Sequence, residues 1–202
     1  MVDLERTAAT IVRTGADFIA LQELDRNVRR SGGVDQAARL GELTSMWIRF
    51  FPTTRLDGGD FGLAIAASAP LELQFHPLPK TPLDRPHGMI TSRLRGVEVL
   101  ATHLSRKRIS RAVELAWVCS ACRRLDPPKM LLGDLNTTGL SFRSMRVAGL
   151  ERRAGYRPTF PSRLPRRQID HVLTSRGLTV IDCWTVDSEA SDHLPLVVEV
   201  ES

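Results

Sequence analysis

Asp134 and Asn136 stand two residues apart, behind three apolar residues and a glycine, in the run Met130-Leu131-Leu132-Gly133-Asp134-Leu135-Asn136. On an extended backbone that spacing turns both side chains to one face. A buried strand would therefore present a carboxylate and a carboxamide together at its end, where α/β sheets collect their chemistry. Gly133 lets the backbone turn tightly or approach a ligand closely. Gly-Asp-x-Asn by itself is also an ordinary Asx-type turn. Four more polar islands close or interrupt apolar runs: Gln22-Glu23, Thr102-His103, Ile169-Asp170-His171 and Ser191-Asp192-His193.

Pooled, the islands hold Glu23, Asp134, Asp170 and Asp192, with His103, His193 and Asn136. Hard carboxylate oxygens favour Mg²⁺, Mn²⁺ or Ca²⁺ over zinc. A divalent ion with few protein carboxylates and open water positions suits phosphoryl chemistry. The histidines and an aspartate can then handle protons. The chain has no nucleophilic serine in an elbow and no Walker loop. Asp170 and His171 are strand neighbours and face opposite ways, which gives His171 a structural role.

These islands need elements to position them. Leu4, Ala8, Ile11 and Val12 recur at helical spacing, so residues 3–14 read as an amphipathic helix ended by Gly15. Residues 17–21 form a buried strand that delivers Gln22 and Glu23 at its end, and residues 26–34 form a loop. A second helix is marked by Leu40, Leu43, Met46 and Trp47. Strands at 48–52 and 61–67 flank a Leu-Asp-Gly-Gly-Asp turn, and 71–78 is a further strand. Residues 79–88 are a proline-rich loop. Arg95-Gly96 joins strands 89–94 and 97–104 as a hairpin. A helix over 108–124 stops at Pro127-Pro128, the central strand follows, and residues 140–150 form a short helix. Residues 151–167 are irregular, and strands close the chain at 168–174, 178–186 and 194–200. Helices mixed with hairpins imply mixed sheets.

The length of 202 residues suits one domain with a sizeable core. No apolar run is long enough to span a membrane, and the N-terminus lacks a signal-peptide pattern; the expectation is a cytoplasmic monomer. Three cysteines, an odd number, argue against a disulfide scaffold. Cys119 and Cys122 fall inside a helix and read as packing rather than zinc ligands. The net charge of +5 suits polyanionic partners, nucleic acid or phosphorylated lipid headgroups. Arg106-Lys107-Arg108 follows the His103 island as a phosphate-steering patch.

Five blocks in order carry a resemblance: Ala20-Leu21-Gln22-Glu23, Ala101-Thr102-His103-Leu104, Leu132-Gly133-Asp134-Leu135-Asn136, Gln168-Ile169-Asp170-His171-Val172 and Ser191-Asp192-His193-Leu194-Pro195. The sequence resembles the endonuclease/exonuclease/phosphatase superfamily of deoxyribonuclease I-like phosphoesterases. The resemblance implies a four-layer α/β/β/α sandwich and Mg²⁺-dependent (or Mn²⁺-dependent) hydrolysis of a phosphate ester, a phosphodiester ahead of a monoester. It implies Glu23 and Asp192 as metal ligands, Asp134 orienting or deprotonating water, and Asn136 holding a phosphate oxygen. Asp170 would orient His193, and His103 would stabilise the phosphoryl group or protonate the leaving oxygen. Arg106 and Arg108 would bind substrate. A non-catalytic phosphate-binding module is the reading from another class. By that resemblance Asp60 would pair with His103, as an acidic partner does in some relatives, although Gly58-Gly59-Asp60 also reads as a plain turn. The family opens with a strand ending in asparagine ahead of the first helix; this chain begins at that helix, and the expectation is a longer natural chain.

Overall fold

Asp3 and Gly15 bracket the first helix in this computed structural model, which describes residues 2–82, 84–138, 142–152 and 155–201. The Asp3 carboxylate accepts the Arg6 N–H at 2.9 Å, and Gly15 closes α1 (Leu4–Thr14) with φ 62°, donating its N–H to the Val12 carbonyl. Ala8 and Ile11 of α1 and Leu40 of α2 (Gln36–Thr44) bury their apolar stripe against one face of a three-stranded sheet. That sheet runs β1 (Phe18–Arg26), β3 (Gly59–Ala67), β2 (Trp47–Leu56), all antiparallel. Its hairpin turns at Asp57-Gly58, both with positive φ, the backbone a two-residue primed turn demands.

The second sheet has five strands in the order β4 (Leu73–Pro77), β5 (Gly88–Leu94), β6 (Val97–Thr102), β7 (Lys129–Asp134), β8 (Asp170–Thr174). Among the described residues only β6 and β7 pair in parallel, with a helix in the crossover between them. The expectation of mixed sheets therefore holds for this sheet and not for the all-antiparallel β1-β3-β2 set. That helix, α3 (Arg108–Arg123), packs Leu115, Val118, Cys119 and Cys122 onto Leu100 and Leu131, with Met145 of α4 (Phe142–Val147) alongside. All three cysteines are buried and free. The inner faces of the two sheets meet through Leu63 and Ile65 against Ile90 and Ala101. The layers are thus helix, sheet, sheet, helix, and β9 (Thr179–Thr185) with β10 (Leu196–Glu201) adds an antiparallel pair.

Several expectations shift. The second helix ends at Thr44, so Met46 lies outside it and Trp47 opens β2. β1 does not stop at Leu21: it continues to Arg26 through a bulge between Leu21 and Leu24, so Glu23 lies inside a strand, not at its end. The helix expected over residues 140–150 spans Phe142–Val147, with residues 139–141 outside the described residues. Among the described residues no helix is long and apolar enough to cross a membrane.

Gly133 is where the fold is least forgiving. Its φ is 136°, and a Cβ there would meet the Thr102 carbonyl oxygen at 1.8 Å, between the parallel strands that carry the site. Gly149, at φ 75°, has nothing nearer than the Lys129 side chain at 3.9 Å. Gly133→Ala should cost more than about 3 kcal/mol of folding stability, whereas Gly149→Ala should cost about 1 kcal/mol, from backbone strain alone. Urea unfolding midpoints of the two variants check this, and equal losses would refute it.

Candidate active site

The ladder between β7 and β8 places Asp134 directly opposite Asp170. Two carboxylates at facing positions repel one another, and the surroundings are arranged to tolerate them. Asp170 accepts the Thr159 hydroxyl at 2.5 Å and His193 Nδ1 at 2.8 Å on the same oxygen, Oδ2. Burial pushes the His193 pKa down, but the hydrogen bond and charge of Asp170 outweigh it, and the net shift is upward. Asp134 is buried and has no cation of its own. Burial first, then the charge of Asp170, raise its pKa to about 7, against the pull of the Asn136 backbone N–H on its Oδ1 at 2.7 Å. Asp134, Asp170 and His193 offer ligand atoms within 4.8 Å of one another, a group able to hold an ion.

His103 enters from the end of β6 and is buried. Its Nε2 lies 3.7 Å from Asp134 Oδ2 and 3.8 Å from Glu23 Oε1. Burial, helped by the charge of His87, lowers its pKa to about 3. His103 is therefore a neutral imidazole near pH 7, and those approaches are polar contacts between uncharged and charged groups, not salt bridges. Glu23 comes from the other sheet. The bulge puts it at φ 60°, an uncommon backbone for a non-glycine residue, and its half-exposed carboxylate accepts Arg85 Nη2 at 3.1 Å. Asn136, also at positive φ, donates both amide hydrogens, to the Leu104 carbonyl at 2.8 Å and to Asp134 Oδ2 at 3.1 Å. Its donors are thus spent on orienting Asp134.

The remaining expected residues sit apart from this group. The Asp192 carboxylate is exposed, 3.4 Å from the Ser191 hydroxyl and outside the Asp134, Asp170 and His193 cluster; its carbonyl accepts the Ser162 N–H at 2.7 Å. Arg106 and Arg108 are exposed where α3 begins. Asp60 does not partner His103: its carboxylate binds Arg26 at 2.6 Å and Arg55 at 2.9 Å, and the Arg26 hydrogen bond leads the causes that lower its pKa. Two arginines on one face of β1 and β2 outcompete a histidine on the other sheet. His171 faces away from Asp170, as strand alternation requires, and contacts the Thr137 carbonyl at 2.7 Å.

Several contributors carry no motif in the sequence. Thr159 and Phe160 come from the irregular stretch: Phe160 packs on the His193 ring at 4.9 Å, and the Leu194 N–H binds the Thr159 carbonyl at 2.8 Å. Arg167 lies over Phe160 at 5.0 Å, and Arg85 over Phe61 at 4.3 Å. Buried His87 and Glu114 bond at 2.8 Å, with Glu114 also accepting the Ser105 N–H at 2.7 Å, and the His87 ring meets His103 edge-on at 5.7 Å. The one sequence signal for these was Arg85-Pro86-His87, a pair of polar residues in a loop too proline-rich to be a solvated helix face.

The profile of the endonuclease/exonuclease/phosphatase family matches residues 2–193. Among curated proteins there is no significant match. A solved endonuclease/exonuclease/phosphatase from Beutenbergia cavernae is 25% identical with a TM-score of 0.81; all of this chain aligns, and it spans 66% of that one, just under two thirds of its length. A mannosyl-6-phosphatase from Bacteroides thetaiotaomicron superposes with TM-score 0.77 at 17% identity, covering 98% of this chain and 90% of that one. An AP endonuclease from Archaeoglobus fulgidus does so with TM-score 0.71 at 16% identity, covering 98% and 94%.

The Asp134 environment has a consequence for stability. Between the ordinary carboxyl value of 3.8 and about 7, the folded chain keeps a proton on Asp134 that the unfolded chain has released, so this group makes stability fall as pH rises across that window. His103 acts oppositely between about 3 and 6.5, where only the unfolded chain holds its proton. Asp134→Asn removes the first trend and keeps the second. Its melting temperature relative to the parent protein should climb steadily from pH 4 to pH 7.5, and a pH-independent difference would show that Asp134 is not desolvated in solution.

Proposed function

We propose, for a chain that belongs to the endonuclease/exonuclease/phosphatase family, that it hydrolyses phosphodiesters with an activated water. The observation that carries this is the facing pair of aspartates with opposite equipment: Asp134, whose pKa is raised to about 7, and Asp170, hydrogen-bonded to His193, whose pKa it raises. A carboxyl raised to about 7 matches the pKa of a base working near neutral pH. Asp134 is suited to take the proton of the attacking water near neutral pH, and its orientation is fixed by the two donations from Asn136. His193, held by Asp170 and with its pKa raised by it, is suited to face the phosphoryl group and to return a proton to the leaving oxygen. His103, neutral and buried, offers an N–H hydrogen bond to a phosphoryl oxygen rather than a proton.

A divalent ion, when bound, supplies charge neutralisation and polarises the phosphate. The hard oxygen donors here fit Mg²⁺ or Mn²⁺. Glu23 is the residue proposed to hold it, with Asp192 as a second ligand through its exposed carboxylate. The Arg85 contact to Glu23 is a half-exposed ion pair, weak enough to exchange.

A basic balance of +5 and the exposed Arg106 and Arg108 support a polyanionic substrate. A monoester reading has support of its own, since one structural relative is named a mannosyl-6-phosphatase. Turnover of bis-p-nitrophenyl phosphate and plasmid DNA, against p-nitrophenyl phosphate and mannose 6-phosphate, separates the two. With Mg²⁺ present, Asp134→Ala and His193→Ala should each lower diester turnover by about 10²–10⁴-fold while the far-UV spectrum stays folded. Undiminished turnover in EDTA, or in either variant, would end the metal-phosphoesterase reading.

The basic run has a separate test. Arg106→Gln with Arg108→Gln should weaken DNA binding and lower the steepness of its salt dependence by about two counterions, with turnover of the small diester unchanged. An unaltered slope would return these arginines to the solvated surface.

A further inference from the structure

Glu114 lies on the face of α3 that carries Ser110, Leu115 and Val118 into the core, and it is 2% exposed. A pure packing role there would be met at lower cost by an apolar side chain, because a buried carboxylate gains little net stability even when paired. Both of its oxygens are engaged. Oε1 takes His87 Nδ1 at 2.8 Å, and Oε2 takes the Ser105 N–H at 2.7 Å. A carboxylate only accepts, so His87 carries a proton on Nδ1 in this pair.

Both partners bear on His103. The chain leaves β6 at Thr102, whose hydroxyl donates to the Gly88 carbonyl at 3.0 Å. Leu104 turns to the site: its N–H donates to the Asp134 carbonyl at 2.9 Å, and its own carbonyl accepts the Asn136 amide at 2.8 Å. Ser105 turns to α3 and the preceding loop: its N–H goes to Glu114 and its hydroxyl to Asp84. His103 thus sits on a backbone pinned from the site on one side and from Glu114 on the other. The second Glu114 partner walls its ring. His87 meets His103 edge-on, with centroids 5.7 Å apart and planes at 70°. One buried carboxylate therefore governs the backbone two residues beyond His103 and the ring beside it. His103 Nε2 lies 3.7 Å from Asp134 Oδ2, so any displacement of His103 reaches the Asp134 carboxylate.

We propose that Glu114 is a positioning residue for the reaction at Asp134. It holds the His103 imidazole in place through Ser105 on one oxygen and His87 on the other, without touching the substrate. The kinetic consequence rests on the phosphoesterase reading; the placement of His103 does not. A misplacement of about 1 Å can cost about 10²-fold in rate, so Glu114 should act on kcat rather than on ground-state binding.

Three variants test this. Glu114→Gln keeps the shape but offers one oxygen to two N–H donors, so the His87 proton moves to Nε2. It should lower kcat for bis-p-nitrophenyl phosphate by about 10–100-fold, with KM changed by less than about twofold. Imidazole nitrogen NMR should show the changed His87 tautomer and displaced His103 ring signals. His87→Asn keeps a donor for Glu114 and removes the ring beside His103; it should also lower kcat, and it decides the matter if Glu114→Gln does not fold. Ser110→Ala is the control. Ser110 is one turn earlier on α3 and bonds Thr81 of the same loop at 2.6 Å, with no bond to residues 102–105 among the described residues. Its loss should lower the melting temperature by about 2–4 °C and leave kcat and the His103 signals as in the parent protein. Unmoved His103 signals in Glu114→Gln, an unchanged kcat in His87→Asn, or an equal loss of kcat in Ser110→Ala overturns the proposal and leaves Glu114 a fold-holding residue only. A parent protein without turnover would refute the phosphoesterase reading instead, and the ring signals would still decide whether Glu114 places His103.

Discussion

The repulsion between Asp134 and Asp170 across one rung of the β7–β8 ladder is the constraint to which the rest of the site answers. Like charges at facing positions destabilise a sheet, and burial makes the penalty larger. The protein resolves it asymmetrically. Asp170 receives an imidazole and a hydroxyl, from His193 and Thr159. Asp134 receives only neutral donors, and its proton is held to about pH 7. Residues 159–162 bond to residues 191–194 on either side of His193, and so a stretch without regular structure becomes part of the frame around Asp170 and His193.

The same logic separates the two histidines. Each lies within reach of a carboxylate, yet burial depresses His103 to about 3, while the direct bond to Asp170 lifts His193 despite its burial. Distance decides between them: 2.8 Å for the His193 contact, and 3.7 Å or more for those of His103. Glu23 reaches the group only because the bulge in β1 turns it inward at positive φ. A local backbone cost of about 1–3 kcal/mol at such a residue is typical where function fixes the geometry.

Structural relatives with one fold carry names as different as a sugar phosphatase and an AP endonuclease. A shared fold does not specify the substrate. In this chain Arg85, Phe160 and Arg167 come from loops, whereas Phe61, under Arg85, belongs to β3. Asp134 ends β7 and Asp170 opens β8, while Asn136 and His193 lie in the connections beyond them.

The sequence by itself determined the strand that ends in Gly133-Asp134-Leu135-Asn136, the helices around Ile11 and Val118, both Gly-containing hairpin turns and the free, buried state of Cys119 and Cys122. Those follow from periodicity, turn chemistry and burial, which are local. Tertiary structure decided what local pattern cannot carry. The bulge at Glu23 is a matter of pairing register with β3, and the loss of Asp60 to Arg26 and Arg55 is a matter of which side chains share a face. The facing of Asp134 and Asp170 depends on β8 returning antiparallel after a stretch of more than thirty residues. The role of Thr159 and Phe160 depends on that stretch folding back over the site, through contacts between residues far apart in the chain.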